Sequence, residues 1–131
     1  MEIEYTLFCE HEEDYVADHF TDDETCKWVC QQLDSGNEWA WFSAHVVATA
    51  EVDGVAFEGH DYLGGCSYTC EEDFRACDYF EDMCAAARAD LEEKIEAHRA
   101  KSRLRAVLQN ASENAPYVVV LQNDLRRLLN H

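Results

Sequence analysis

The segment "EWAWFSAHVVATAEVDGVAF", residues 38–57, decides the fold of this 131-residue chain. It is rich in aromatic and β-branched residues, which favour strands. The dipeptide Asp53-Gly54, flanked on both sides by valine, is a strong indication of a two-residue hairpin turn. The sequence therefore predicts a long strand over 38–52, a tight turn, and a return strand over 55–58.

The residues before this hairpin predict one strand and one helix. The opening segment "EIEYTLF", residues 2–8, alternates polar and apolar positions, as a half-buried strand does. Residues 9–20 show no clear period and are interpreted as an acidic connection with room for one helical turn. Thr21 and Glu24 have capping-box spacing, which predicts a helix start, and Gly36 predicts its end. The predicted buried stripe of this helix is Cys26, Val29, Cys30 and Leu33.

The residues after the hairpin predict a second helical region. A glycine-containing loop over 59–65 is expected to lead to Thr69 and Glu72, which repeat the capping-box spacing. Apolar residues then recur every three or four positions, which predicts one continuous helical face with a break near Ser102. The members of this face are Phe74, Cys77, Phe80, Cys84, Ala87, Leu91 and Ile95, with Leu104 and Leu108 beyond them.

The C-terminal segment 117–129, which follows Pro116, fits either a strand and turn or a short helix, and the helix is favoured. A helix there would carry an apolar face through which a homodimer could form. That face consists of Leu121, Leu125 and Leu128.

These elements predict an α+β fold. The expected architecture is a small antiparallel sheet, made of the N-terminal strand and the 38–58 hairpin, packed against two to four helices. No internal repeat or low-complexity linker divides the sequence, so residues 1–131 are predicted to form a single compact domain.

The charge of the chain is strongly negative and unevenly distributed. The formal net charge is −18, and residues 1–82 hold 22 acidic residues against two basic ones, whereas residues 83–131 are near neutral. Direct binding to nucleic acid or anionic membranes is not expected, because phosphate contacts need clustered Lys and Arg. The sequence has no run of about 18 apolar residues and an acidic N-terminus, so we expect a cytoplasmic protein that neither crosses nor binds membranes.

The acidic residues are concentrated in two segments, 10–24 and 71–82. Two like charges about 7 Å apart in water repel by roughly 0.6 kcal/mol, so such clusters destabilise the fold. The helix dipole favours only those in the first turn of a helix. Two interpretations remain open: a solvated surface adapted to high salt, or a binding surface for a basic partner. The predicted partner-binding residues are Glu10, Glu12, Glu13, Asp14, Asp18, Asp22, Asp23, Glu24, Glu71, Glu72, Asp73, Asp78, Glu81 and Asp82.

This composition resembles that of small acidic phage and mobile-element proteins that block host restriction or CRISPR nucleases by imitating DNA. The stretch 38–82, which contains "GHDYLGGCSYTCEEDF", is also similar to a segment of uncharacterised phage and plasmid proteins. The first resemblance implies a non-enzymatic inhibitor, often dimeric. Its partner would be a basic nucleic-acid-binding defence protein of a bacterial host cell. No residue role follows from either resemblance.

The seven cysteines are expected to be free thiols, since their number is odd and the cytoplasm is reducing. Seven-residue gaps on a helix separate ligands by about 10 Å, too far for one ion. Core thiols are therefore favoured, and a zinc-binding module is the alternative. If a metal site exists, its members are His60, Cys66 and Cys70.

Catalysis is not predicted, and no cofactor is expected. The motif "HEEDY" at His11 has Tyr15 where a metalloprotease would have its second histidine. The sequence contains neither a Gly-rich phosphate loop nor a nucleophile elbow. His45 is interpreted as a hydrogen-bonded residue within its strand.

Overall fold

A computed structural model describes residues 1–112 and, beyond them, 126, 127 and 129. Within these residues it contains a three-stranded antiparallel sheet and helices, which confirms the predicted α+β class. The strands are β1 (Glu4–Glu10), β2 (Phe42–Val52) and β3 (Val55–Cys66), and the helices are α1 (Val16–His19), α2 (Asp23–Asp34), α3 (Glu71–Arg75) and α4 (Asp78–Ser112). The alternatives for 117–129, and the dimer face there, lie outside the described residues apart from 126, 127 and 129.

The chain divides into two compact units, Met1–Glu92 and Glu93–His131. The first unit contains 24 acidic and three basic residues, whereas the second contains four acidic and seven basic residues. The structural division therefore lies close to the charge boundary seen in the sequence after residue 82. That the whole chain forms a single domain stays a prediction.

The sheet has the order β1-β2-β3, so β2 is central and pairs antiparallel with both neighbours. Asp53 and Gly54 form the turn with φ values of 54° and 74°. Both angles are positive, as a type I′ turn requires, and the predicted hairpin is confirmed. The N-terminal strand is confirmed as well.

The return strand is longer than predicted, because β3 continues through Cys66 instead of ending near residue 58. Residues 59–65 are therefore part of the strand and not a loop. Gly59 has a packing reason to be glycine: a Cβ there would lie 2.0 Å from the carbonyl oxygen of Ala87 and 2.4 Å from the amide nitrogen of Leu91. The α4 backbone thus packs directly against β3, and glycine inside a strand often marks such a close approach.

One backbone N–H of β3 is bonded by a side chain of the same helix. The backbone N–H of His60 donates a hydrogen bond of 2.9 Å to Asp90 Oδ2 on α4. An unpaired N–H group at a sheet edge can bond to a strand of another chain, and a side chain that bonds to this group prevents such pairing.

The core of the first unit lies between one face of the sheet and the helices. Phe42 and Phe74 are almost completely buried, and their rings meet edge to face with centroids 5.3 Å apart. A second cluster joins Val29 of α2 to Trp41. Other buried side chains of this unit are Ala40, Ala44, Val46, Val47, Ala48, Ala50, Cys66, Met83, Ala87 and Leu91.

The second helical region differs from its prediction in where it breaks. α3 ends at Arg75 and α4 begins at Asp78, whereas the helix continues through Ser102. The Ser102 hydroxyl donates to the carbonyl of His98 at 3.1 Å, so its polar group is satisfied within the helix. On the predicted face, Phe74, Ala87, Leu91, Ile95 and Leu108 are buried, Cys77, Phe80 and Cys84 are half-buried, and Leu104 is exposed.

Both predicted capping boxes are wrong by one position. Asp22, not Thr21, caps α2, and it accepts hydrogen bonds from the Glu24 backbone N–H at 3.1 Å and the Thr25 hydroxyl at 2.8 Å. The N-cap of α3 is Cys70, which makes no side-chain capping bond. Thr69 instead donates through its backbone N–H and its hydroxyl to the Asp73 carboxylate.

Two further expectations for residues 26–41 are corrected. In the predicted stripe of α2 only Val29 is buried, because α2 packs against Trp41 at this position, whereas Cys26 is half-buried and Cys30 and Leu33 are exposed. Residues 38–40 form a 3₁₀ turn instead of the start of β2, and the Asn37 side chain caps this turn. The predicted helix end is confirmed, since Gly36 follows α2 with φ of 93°.

We expect Gly59→Ala to destabilise the protein by about 3 kcal/mol or more, since the added methyl group would overlap the α4 backbone. Chemical denaturation followed by circular dichroism measures this loss. Gly64→Ala is the matched control, because its Cβ would meet a side chain, the Glu12 carboxylate at 3.2 Å, and no backbone atom. Equal losses for the two variants would contradict the direct packing of α4 on β3.

We expect Asp22→Ala to lower the melting temperature at neutral pH, whereas Asp22→Asn should keep the cap, since Asn caps as well as Asp. Hydrogen bonds from Thr25 and Glu24 lower the pKa of Asp22. A lowered folded-state pKa means that this stabilisation is present above the unfolded pKa and is lost as pH falls through the folded value. The difference in melting temperature between Asp22→Ala and the wild-type protein should therefore become smaller as the pH falls. A difference that stays constant down to the lowest pH at which the protein is folded would contradict the capping role of the Asp22 carboxylate.

Candidate interaction surface

The two acidic segments, 10–24 and 71–82, start from the same end of the sheet. The first continues from the last residue of β1, which lies opposite Ser43 near the beginning of β2. The second follows the end of β3, where Cys66 lies opposite Phe42. Because both neighbours of β2 run antiparallel to it, they deliver the two segments to one edge of the molecule.

Specific contacts hold the first acidic segment against this end of the sheet. Glu12 Oε2 accepts a 2.9 Å hydrogen bond from the backbone N–H of Gly65 on β3. The indole N–H of Trp41 donates to the carbonyl oxygen of Asp14 at 2.9 Å. The rings of His19 and Trp41 lie 5.0 Å apart. The segment is therefore positioned by the fold although few of its own side chains are buried.

The second acidic segment is anchored by Phe74, which is completely buried. Its ring lies 5.0 Å from that of Tyr68 and 6.0 Å from that of Phe80, with edge-to-face geometry in both pairs. Arg75, a basic residue of this segment, pairs with Glu71 at 3.4 Å. Of the carboxylates around this anchor, Glu72, Asp73, Asp78, Glu81 and Asp82 are exposed and Glu71 is half-buried.

Most of the fourteen predicted partner-binding carboxylates are exposed, and only Glu12 and Glu71 are half-buried. Six of them have intramolecular partners: Glu10, Glu12, Asp14, Asp22, Glu71 and Asp73. The other eight make no hydrogen bond or ion pair through their carboxylates with any described residue. They are Glu13, Asp18, Asp23, Glu24, Glu72, Asp78, Glu81 and Asp82. We call these eight the unpaired carboxylates.

Two shallow clefts adjoin the second acidic segment and share Tyr68 and Tyr79 as lining residues. The first cleft, of about 350 Å³, is also lined by Phe20 of the first segment and by the end of β3. The second, of about 540 Å³, is also lined by Asp78 and Asp82. Tyr79 is 59% exposed. An accessible aromatic ring among carboxylates suits an arginine side chain, which can stack on the ring and pair with the acids.

The three residues predicted to form a metal site, if one exists, do not come together in the structure. His60 and Cys66 are six positions apart on β3, a separation of roughly 20 Å along a strand. The Cys66 thiol donates to the carbonyl of Leu63 at 3.3 Å instead. Within the described residues, no group of three or more His, Cys, Asp or Glu side chains is placed to hold a metal ion.

A second cluster of polar and aromatic side chains crosses the exposed face of the sheet. Phe8, His45 and Tyr62 are cross-strand partners on β1, β2 and β3, so their side chains share one face. The His45 and Tyr62 rings stack with centroids 4.2 Å apart and an interplanar angle of 14°. Phe8 is 46% exposed and Tyr62 60% exposed, so this is the solvent-facing side of the sheet.

Four titratable side chains on this face form one continuous chain of contacts. His45 Nδ1 lies 2.6 Å from Glu10 Oε1, and His45 Nε2 lies 2.8 Å from His60 Nδ1. At the other end, His60 Nε2 lies 3.3 Å from Glu58 Oε2. We call Glu10, His45, His60 and Glu58 the histidine chain. It links all three strands of the sheet.

The histidine chain was missed from the sequence, where His60 entered only as a possible metal ligand. A usable signal was nevertheless present. The predicted turn at Asp53-Gly54 fixes the hairpin register, and counting outward from it places His45 opposite Tyr62 and His60 opposite Val47. The two histidines are then diagonal neighbours on one face, a separation that long side chains can bridge.

The cysteines are free thiols that differ widely in accessibility. Burial raises the pKa of Cys9 to about 12, and the nearby charges of Glu38 and Glu71 contribute in the same direction. Burial also raises the pKa of Cys66 and of Cys84. Cys30 on α2, in contrast, is exposed. The expectation of core thiols therefore holds for Cys66, which is buried, whereas five cysteines are half-buried and Cys30 is exposed.

Comparisons with known proteins return no match, whether to protein-family models, to curated proteins or to solved structures. Among the described residues, no helix has both the length and the apolar character to cross a membrane.

We expect a thiol-specific alkylating reagent near neutral pH to modify Cys30 first and Cys9, Cys66 and Cys84 much more slowly. The reactive species is the thiolate, and both burial and a raised pKa reduce its availability. Mass spectrometry of peptides after timed labelling measures the order. Labelling in denaturant is the control, and there we expect all the cysteines to be modified at similar rates. Modification of Cys66 as fast as Cys30 in the folded protein would contradict the burial described above.

Proposed function

We propose that this chain is a non-enzymatic acidic binding protein that imitates DNA. It occupies the basic nucleic-acid-binding surface of another protein, of the kind used in bacterial restriction or CRISPR defence. Its place of action would be the cytoplasm of a bacterial host cell. The unpaired carboxylates support this proposal best, because they keep negative charge in solvent at one end of the sheet with no described cation to neutralise it.

The spacing of the acids suits this role. Duplex DNA carries about one phosphate charge per 1.7 Å of helix axis. Carboxylates three or four positions apart on a helix lie about 5–6 Å from one another, as Asp78, Glu81 and Asp82 do at the start of α4. A cleft lined with Lys and Arg would attract such a surface over long distances, and the attraction would weaken as salt is added.

The free-energy balance also favours a partner. Each close carboxylate pair costs on the order of 0.6 kcal/mol in water, and a domain of this size has only about 5–15 kcal/mol of stability. A cationic partner surface would relieve that repulsion when it binds. The exposed aromatic ring of Tyr79, in the second acidic segment, would add apolar contact to an otherwise electrostatic interface.

Adaptation to high salt is the competing interpretation. It predicts that the acids serve only solvation and that the fold weakens when salt is removed. It does not explain why the first unit carries 24 acidic residues while the second carries four. The two interpretations differ in what the protein binds at low salt.

The first experiment is a pull-down from bacterial lysate with the purified protein as bait, at low and at moderate salt. We expect one nucleic-acid-binding protein to be retained at low salt, released at moderate salt, and displaced by duplex DNA. Retention of nothing, or of a mixture of basic proteins that DNA does not displace selectively, would contradict the proposal.

A charge-reversal pair then tests the surface itself. Glu13→Lys with Asp82→Lys changes two unpaired carboxylates, one in each acidic segment. We expect affinity for the recovered partner to fall about tenfold or more, which corresponds to about 1.4 kcal/mol, with an unchanged fold. Calorimetry or biolayer interferometry measures the affinity, and circular dichroism checks the fold.

The matched control is Glu2→Lys with Glu51→Lys, which makes the same change in net charge. Both control residues are exposed, and Glu51 lies beside the hairpin turn, at the opposite end of the sheet from the acidic segments. The control should retain most of the affinity. Equal losses in both double variants would mean that only net charge matters, and the proposed surface would be wrong.

A further inference from the structure

We infer that the outer edge of β1 is a docking site for an extended, positively charged segment of another protein, which adds to the sheet as a fourth strand. The inference concerns the edge of the sheet and does not depend on what binds the acidic segments. It follows from the backbone groups that the strand pairing leaves free and from the side chains beside them.

The hydrogen-bond pattern of the hairpin determines which residues of β2 bond to β1. In a two-residue hairpin the residues that flank the turn, here Val52 and Val55, exchange hydrogen bonds, and such bonded pairs alternate along the strands. The backbone N–H of His60 agrees with this alternation, since it bonds to Asp90 and not to β2. The even-numbered residues 46–52 of β2 therefore bond to β3, and its odd-numbered residues bond to β1.

The backbone groups that face outward from β1 are those of Tyr5, Leu7 and Cys9. These residues lie opposite even-numbered residues of β2, so their N–H and C=O groups point away from the sheet. Within the described residues, none of these backbone groups has a hydrogen-bond partner. The register of β1 with β2 is continuous from Glu4 to Glu10, so no bulge interrupts this row of donors and acceptors.

This edge lacks the features that usually prevent strands of different chains from pairing. Natural sheets protect their edges with lysine, proline, bulges or covering elements. β1 contains neither lysine nor proline, and its only charged residues, Glu4 and Glu10, stand at its two ends. The edge is therefore open to an added strand, and the glutamates favour one that carries positive charge.

The side chains beside the edge define the chemistry of the added strand. On the buried face of the sheet, Leu7 is only half-buried although Val46 opposite it is completely buried. No described strand lies beyond Leu7, so an apolar residue of the added strand would cover it and extend the core. On the other face, Phe8 is 46% exposed between Glu4 and Glu10. Arg or Lys would pair with the glutamates and stack on this ring, so the added strand alternates apolar and basic residues.

A second copy of this chain does not suit the edge. Antiparallel pairing of two β1 strands about Leu7 would place Glu4 of each chain opposite Glu10 of the other, and like charges directly opposite destabilise a sheet. Each chain also has a net charge of −18, so two copies repel each other at longer distance. The occupant is therefore a basic segment of a different protein.

Amide hydrogen exchange followed by NMR tests the docking site, with a synthetic peptide that alternates valine with arginine and lysine as the probe. In the free protein we expect the amides of Tyr5, Leu7 and Cys9 to exchange rapidly and those of Thr6 and Phe8 to exchange slowly. Saturating peptide should slow the outward amides by about tenfold or more. Absence of binding, unchanged exchange at saturation, or slow exchange of the outward amides in the free protein would overturn the inference.

Backbone methylation of the peptide separates strand addition from general attraction to negative charge. One peptide has methylated valine nitrogens, and its matched control has methylated arginine and lysine nitrogens. Successive N–H groups of a strand point to opposite edges, so strand addition uses only one of these two sets. We expect one peptide to lose the protection of the Leu7 amide and the other to keep it. Equal protection by both peptides would overturn the inference.

Tyr5→Pro tests the edge from the side of the protein. Proline removes the outward N–H and is tolerated at a sheet edge where that group faces solvent. We expect its affinity for the unmethylated peptide to be about tenfold lower than that of Tyr5→Ala, which keeps the N–H, with circular dichroism unchanged. Equal affinities of the two variants would overturn the inference. The methylated peptides use the wild-type protein, so their result stands whether or not the proline variant folds.

Discussion

The contact between the backbones of α4 and β3 at Gly59 is the constraint on which the first unit depends. No side chain separates the two elements there, since even a methyl group would lie 2.0 Å from a helix carbonyl oxygen. This contact places Ala87 and Leu91 against the buried face of the sheet, and it brings Asp90 to the edge of β3. A helix held this close completes the core and bonds one backbone N–H of the edge strand.

The register of the hairpin is the second constraint on the structure, because it sets the positions of the acidic segments and of the histidine chain. The turn at Asp53-Gly54 sets which residues of β2 and β3 lie opposite each other, and pairing with β1 extends that register across the sheet. As a result, the acidic segments leave from one end of the sheet. The same register aligns His45 with Tyr62 on the exposed face. One turn thus determines the positions of residues that are distant in sequence.

Some carboxylates of the first unit accept hydrogen bonds within the fold, and others have no such partner among the described residues. Glu12, Asp22 and Asp73 accept hydrogen bonds from backbone or hydroxyl donors and stabilise local structure. The unpaired carboxylates make no such hydrogen bond with the described residues. Six of the eight lie in the first turn of a helix, where the helix dipole favours them, but their mutual repulsion remains. Half of the eight carboxylates of the first acidic segment lie outside regular strands and helices, and the exposed ones are screened by water and salt, which helps the fold to tolerate the clustering.

By itself, the sequence determined the α+β class, the first strand, the hairpin turn, the end of α2 at Gly36 and the two acidic segments. Each of these is local: a turn dipeptide, a period of two or a run of like charge is decided by near neighbours in the chain. Tertiary structure decided the full length of β3, the position of the helix break and the histidine chain. A glycine in a strand resembles a loop residue until the helix that requires it is in place, as at Gly59. Likewise His45 and His60 are ordinary strand residues until three strands pair, because a hydrogen-bonded chain between them exists only in the folded register.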